Sequence, residues 1–244
     1  MIAFTEKAMA EDDFDINSLA TYLHMTPPQI KKMAERGKLP GRRVGSDWVF
    51  PQAEIHHWFE TKIGLSDEKE LLEVEKVLET APQPVDTVQP ALANLLPIEH
   101  VFVPLAARTK NSVINQLCEE CAETGGLWDP TRMTSAIFDR ESLHPTALDN
   151  GVALLHPRRP QPGIINDSFL ALGVTTTGLP FGGPRGTMTD IFFLIASADE
   201  STHLKILARI SRLIQLPELL DRLRESGGPQ AALDIVLKAE EELC

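Results

Sequence analysis

Residues 138–160 read FDRESLHPTALDNGVALLHPRRP, and residues 190–214 read DIFFLIASADESTHLKILARISRLI. In the first stretch a helix is expected to end near Arg140 and give way to a loop, and the short apolar run Val152–Leu155 predicts a strand that delivers His156 at its end. A histidine in that position, followed by Pro157 and preceded by Arg140, is expected to lie exposed in a shallow cleft. In the second stretch Ile191–Ser197 predicts a buried strand, followed by a loop and an amphipathic helix beginning near His203. Two histidines thus fall at the ends of apolar strands.

From Leu92 to the C-terminus helical and strand-like stretches alternate without repeats, over roughly the ~150 residues of an ordinary domain. This pattern predicts an α/β fold, a mixed sheet with helices on both faces. Cys118 and Cys121 form a C-x-x-C, but Ile114, Leu117, Cys118 and Cys121 also make one helical stripe, so the cysteines are expected in the core. The glycine-rich loop GLPFGGPRGT at 178–187 lacks the Gly-Lys-Ser/Thr ending of a phosphate loop and reads as a turn between strands.

The N-terminal part differs in charge. Between Thr26 and Arg43 the basic residues Lys31, Lys32, Arg36, Lys38, Arg42 and Arg43 face a single acid, Glu35. Ile16, Leu19, Ala20 and Leu23 recur at helical spacing, Pro27 and Pro28 mark the start of a second helix and Gly37 its end. Arg43-Val44 and Trp48-Val49-Phe50 then flank a Gly-Ser-Asp turn, and a third helix is expected to open at Pro51. Helix, turn, helix, hairpin, helix is a winged DNA-reading arrangement of α+β type. Trp48, Phe50, Trp58 and Phe59 are expected to form its small core. Adjacent helical histidines point ~100° apart, so His56 and His57 are not expected to share a metal, and no metal or cofactor is expected anywhere.

Between the two parts, residues 64–91 read as an acidic connector. Leu71, Val74 and Leu78 share one face of a short helix, and Pro82, Pro84 and Pro90 enforce an extended tether. The expected division is 1–63 for the DNA-binding module, 64–91 for the linker and 92–244 for the larger domain. With 23 basic and 35 acidic residues the net charge of −12 excludes a polycation wrapped on nucleic acid, leaving only the local basic window for DNA. An apolar fraction of 43% excludes a mainly disordered chain. No apolar run approaches the ~18 residues of a membrane span, and three cysteines make no disulfide framework, so a soluble, cytoplasmic protein is expected.

LATYLHMTPPQIKKMAERGKLPGRRVGSDWVFPQAEIHHWF, at 19–59, resembles the excisionase and MerR-type helix-turn-helix. The resemblance implies that the second helix enters the major groove, with Gln29, Lys31, Lys32 and Arg36 toward DNA and the wing residues Arg42 and Arg43 on phosphates. The larger domain, in turn, resembles the IIA domain of the bacterial phosphotransferase system, of the mannitol/fructose and nitrogen-regulatory type. Arg140, Glu141, Thr146, Gly151, Ala153, His156, Ala196 and His203 carry that resemblance in order along the chain, with Leu155 standing where the family usually has proline. It implies that His156 accepts a phosphoryl group from an HPr-like phosphocarrier and that His203 orients it. The resemblance further implies that Arg140 neutralises the charge of that group, with Thr146 in support; Arg158, a local variation outside the family pattern, adds positive charge expected either to support the phosphate site or only to solubilise the surface. A neutral imidazole, with a free pKa of ~6.5, is a competent nucleophile at neutral pH. Three roles stay open: a regulator whose phosphorylation state reaches DNA, a working phosphocarrier that feeds a sugar permease, or a protein-interaction domain whose histidine is never phosphorylated. A dimer contact through Leu71, Val74 and Leu78 is left open.

Overall fold

The computed structural model describes residues 13–23, 25–51, 54, 55, 58 and 91–243. The acidic connector with its Leu71, Val74 and Leu78 stripe, together with His24, His56, His57 and Phe59, lies outside the described residues.

In the N-terminal unit, helix α1 (Ile16–Tyr22) begins at Asp15. The Asp15 carboxylate accepts the Ser18 N–H at 2.7 Å while Ser18 Oγ accepts the Asp15 N–H at 2.9 Å, a reciprocal cap. These bonds hold the Asp15 carboxyl below its ordinary value. Helix α2 (Pro27–Glu35) carries its prolines in the first turn, where their missing N–H groups are not needed. Gly37, at φ +65°, then turns the chain out of the helix. Strands β1 (Asp13–Phe14), β2 (Arg42–Val44) and β3 (Asp47–Pro51) pair in the order β1-β3-β2, all antiparallel. Leu19, Ile30, Phe50 and Ile55 are fully buried between helices and sheet. Gly41 is obligatory, because a methyl group there would sit 2.5 Å from the Phe50 ring.

Three details depart from the sequence reading. Strand β1 was not expected; its two residues give no periodic signal. The turn of the wing is Gly45-Ser46, with Asp47 already paired to Val44. Pro51 does not open the third helix but ends β3, a place that suits a residue lacking an N–H, and helical geometry is present by Glu54. Phe50 is buried and Trp48 stacks on it at 6.0 Å, as a core role requires.

The C-terminal unit is a three-layer α/β structure. Its sheet contains β4 (Val101–Phe102), β5 (Val152–Leu155), β6 (Phe169–Pro180) and β7 (Met188–Ala196) in the order β4-β6-β7-β5. The central pair is antiparallel and both outer pairs are parallel, so the sheet is mixed. Alternation along the strands sends Val152, Leu154, Ile191 and Phe193 to one face. There they meet helices α6 (Glu200–Leu213), α7 (Leu219–Arg224) and α8 (Pro229–Leu243). Ala153, Leu155, Phe192 and Leu194 point to the other face, against α4 (Lys110–Glu123) and α5 (Pro130–Leu143). A strand apolar at every position is what burial on both faces demands. Cys118 and Cys121 lie in this second layer, fully buried on α4. Burial pushes the Cys118 thiol up to about 11 and Cys121 higher still. The glycine-rich loop joins β6 to β7, as a turn should.

The unit is anchored at its beginning. The Leu92 N–H, at the start of the short helix α3 (Leu92–Leu95), donates to Glu240 Oε1 at 2.8 Å, and Glu240 also pairs with Arg209 at 2.7 Å. Gly151, at φ +88°, makes the turn into β5, and a side chain there would meet Arg224 Nη2 at 2.7 Å. That arginine bridges the turn to Asp190 at the start of β7, fixing the two strands that carry the histidines. No described helix is long and apolar enough to cross a membrane.

Candidate active site

The strand β5 ends with Leu155 paired to Leu194 of β7, so its next residue, His156, leaves the sheet beside the end of β7. Beyond that end, Asp199 caps α6 by accepting the Thr202 N–H at 2.9 Å, which puts His203 in the first turn of the helix. The two imidazoles meet with ring centroids 5.0 Å apart, tilted by 55°. The third component comes from α5. Met133, Ile137, Arg140 and Glu141 form its buried face, so the stripe that begins with apolar packing ends with two charged side chains aimed inward. The helix continues past Arg140 to Leu143, longer than the sequence implied.

Hydrogen bonds define the state of His156. Its Nδ1 lies 2.8 Å from the Leu154 carbonyl oxygen. A carbonyl only accepts, so Nδ1 carries the proton and Nε2 carries the lone pair. Arg140 Nε donates to that Nε2 at 3.2 Å, which independently requires an acceptor there. The guanidinium is held from its other side, because Nη1 donates to the His144 carbonyl at 2.9 Å. His203 is fixed through Ser197, whose Oγ lies 3.1 Å from its Nδ1.

The loop between α5 and β5 is built on Glu141. Its Oε1 accepts both the N–H of Thr146, at 3.0 Å, and the Thr146 hydroxyl, while its Oε2 pairs with Lys110 Nζ at 2.7 Å. Lys110, at the start of α4, also rests over the Phe181 ring at 4.9 Å. Thr146 then folds back on the strand, with its carbonyl accepting the Leu154 N–H at 3.3 Å.

The structure therefore brings together His156, His203 and Arg140 as the sequence reading expected, with two differences. His156 is only 2% exposed rather than open in a shallow cleft, because Arg140 and His203 close over its ring. Thr146 lies nearby, but its hydroxyl donates to Glu141, so it positions the loop and has no spare proton for an anion. Arg158 is exposed, two residues past His156. Lys110 and the hydrogen bonds made by Glu141 and Ser197 escaped the sequence reading, since long separations such as Lys110 to Glu141 leave no periodic signal.

In the N-terminal unit Gln29, Lys31, Lys32, Arg36, Arg42 and Arg43 are all exposed. Ile30 and Ala34 bury the opposite face of α2, leaving Gln29, Lys32 and Arg36 on one outward stripe with Lys31 at its flank. Gln29, however, is engaged: its Oε1 accepts the N–H and the hydroxyl of Thr26, at 2.8 and 2.7 Å. A paired contact to adenine needs both ends of the amide, so Gln29 is a cap before it is a base reader. Arg42 approaches Asp13 at 3.9 Å, and Arg43 lies over Trp48 at 5.9 Å.

Residues 94–239 match the family described as Phosphoenolpyruvate-dependent sugar phosphotransferase system, EIIA 2, and residues 14–62 match one described as Helix-turn-helix domain. The chain is 26% identical over 147 residues to the PTS system fructose-specific EIIABC component of Bacillus subtilis (strain 168), covering 59% of this chain and 23% of that protein. It thus spans less than a quarter of that relative. It is 27% identical over 147 residues to the Nitrogen regulatory protein of Bradyrhizobium diazoefficiens, over 59% of this chain and 94% of the relative. The crystal structure of Nitrogen Regulatory Protein IIA-Ntr from Neisseria meningitidis superposes with a TM-score of 0.53 at 19% identity, covering 58% of this chain and 96% of that one. IIA mannitol from Escherichia coli gives 0.51 at 21% identity, covering 57% and 97%. At these identities the structural likeness is one of fold.

Proposed function

The chain belongs to the phosphoenolpyruvate-dependent sugar phosphotransferase system EIIA 2 family, and from that premise we propose that it is a regulatory phosphoacceptor whose state is passed to DNA through its helix-turn-helix domain. The observation that carries the phosphoacceptor role is the state of His156: Nδ1 spends its proton on Leu154, and Nε2 presents a lone pair beside the Arg140 guanidinium.

The transfer balances without a metal. The Nε2 lone pair attacks the phosphorus of a phosphohistidine on an HPr-like donor, the new N–P bond forms, and the donor's N–P bond breaks with its electron pair returning to the donor imidazole. Arg140 exchanges its bond to Nε2 for bonds to the phosphoryl oxygens, where its fixed positive charge offsets the charge of the transferring group. His203, its ring 5.0 Å from that of His156, supplies a second hydrogen bond to the group.

The helix-turn-helix family match and the exposed basic stripe of α2 support the DNA-binding half. The likeness to the PTS system fructose-specific EIIABC component of Bacillus favours a second reading in which phosphate moves on to a sugar permease and the N-terminal unit docks the domain. The test is incubation of the full chain with labelled phosphoenolpyruvate, enzyme I and HPr. An acid-labile label that His156→Ala abolishes supports the phosphoacceptor; onward transfer to a permease IIB domain separates carrier from regulator. Equal labelling of His156→Ala rules the site out.

A further inference from the structure

We propose that Ser197 is a positioning residue for phosphoryl transfer: its hydroxyl donates to Nδ1 of His203 and so keeps the proton of neutral His203 on Nε2. The inference rests on the proposed phosphoacceptor role of His156, and concerns which hydrogen its neighbour offers.

Ser197 follows the last residue of β7 and is 1% exposed, so its hydroxyl hydrogen must find an acceptor inside the protein. Among the described residues its Oγ has one hydrogen-bond partner, His203 Nδ1, at 3.1 Å. Two arrangements satisfy that distance. If Nδ1 were the protonated nitrogen, it would donate to Oγ and the serine hydrogen would be left buried without an acceptor. If Ser197 donates, its hydrogen is satisfied and the imidazole proton falls on Nε2. Only the second arrangement gives the buried serine hydrogen an acceptor.

The consequence for chemistry is directional. His156 needs its neighbour as a donor to phosphoryl oxygen, because a nitrogen lone pair facing that anion would repel it. A His203 locked with hydrogen on Nε2 offers a donor there without first being protonated, so the site keeps this hydrogen bond above the ordinary pKa range of histidine. Ser197 is itself held in place: its carbonyl accepts the Gln161 N–H at 3.3 Å, which ties the end of β7 to the loop after His156.

The test is ¹⁵N nuclear magnetic resonance of the full-length chain, following the ring nitrogens of His203 at a pH where the ring is neutral. In the wild type the expected signature is an unprotonated Nδ1 and a protonated Nε2. Ser197→Ala should give a mixture of both tautomers and slow labelling of His156 about tenfold, the scale of one lost hydrogen bond, with a deficit that widens as pH rises. A wild-type His203 protonated on Nδ1 overturns the proposal, and needs no variant to be seen. A Ser197→Ala chain with an unchanged tautomer and pH profile overturns it equally. Absence of label on wild-type His156 would instead remove the phosphoacceptor reading, while the tautomer result would still report on Ser197.

Discussion

Arg140 Nε donates to His156 Nε2 across 3.2 Å, so the cation sits on the very nitrogen that would receive a phosphoryl group under the proposed function. The guanidinium therefore has two tasks, keeping the lone pair aimed before transfer and receiving the oxygens after it. Arg140→Ala should lower the initial labelling rate of His156 on the order of 10²-fold, as removal of one preorganised donor does. Arg140→Lys should recover part of that loss, since it restores charge without the fork that reaches both Nε2 and the His144 carbonyl.

Glu141 is 4% exposed and shares its two oxygens between Lys110 and Thr146. Lys110→Ala leaves this carboxylate buried without its counter-charge and should cost about 3 kcal/mol of stability, lowering the midpoint of thermal unfolding. Glu141→Gln, which keeps the shape but not the charge, should cost less. Unfolding of the two variants by urea, compared with wild type, separates charge from packing.

His100 bridges the sheet to α4: Nδ1 donates to the Leu170 carbonyl at 3.2 Å and Nε2 meets Thr124 Oγ1 at 2.8 Å. Burial pushes its pKa below the ordinary histidine value, with the bond to Leu170 and the charge of Glu99 acting in the opposite direction. The folded state therefore binds this proton less readily than the unfolded chain. Its contribution is fully present above the unfolded value of ~6.5 and is lost as pH falls below it. Thermal melts from pH 7.5 down to 5 should show that loss, and His100→Gln should flatten part of the slope.

Gln29 caps α2 through Thr26, so Gln29→Ala should lower the stability of the N-terminal unit by ~1 kcal/mol while leaving the selected DNA motif unchanged. Arg42→Glu with Arg43→Glu should weaken binding to all sequences alike and reduce its salt dependence, as lost phosphate contacts do. Selection from random duplexes checks both; a changed motif for Gln29→Ala would make it a base reader after all.

The α/β class, the two strands that lead to the histidines and the cysteine stripe were legible because period and apolar runs record burial. Val152–Leu155 was bounded correctly, since four apolar residues buried on both faces admit little else. The triad of Arg140, His156 and His203 was legible through family resemblance, which orders residues that spacing alone cannot bring together. What stayed hidden was every relation that depends on side-chain direction. Thr146 resembled a phosphate contact, yet its hydroxyl turns to Glu141; Gln29 sat on the outward basic stripe of α2, yet its amide closes a cap. Local hydrogen-bond competition decides such cases, and sequence spacing does not record it.

Phosphorylation adds about −1.5 to −2 charges at His156. Arg158, two residues on, lines an open cleft of about 440 Å³ with Lys38, Leu39, Glu54 and Trp58 of the N-terminal unit. A new anion beside Arg158 should compete for it and alter DNA affinity by ~1 to 3 kcal/mol, a usual range for coupled sites. Binding of phosphorylated and unphosphorylated full-length protein to one duplex at fixed salt measures this; identical affinities would leave two independent modules.

The central claim is that His156 reacts through Nε2 because Nδ1 is held by the Leu154 carbonyl. The direct measurement is the isomer of phosphohistidine formed on the full chain, read by ³¹P and ¹⁵N resonance after labelling by enzyme I and HPr. The geometry predicts phosphate on Nε2 of His156 and on no other imidazole nitrogen. Phosphate on Nδ1, or on His203 in a chain that retains His156, would contradict it.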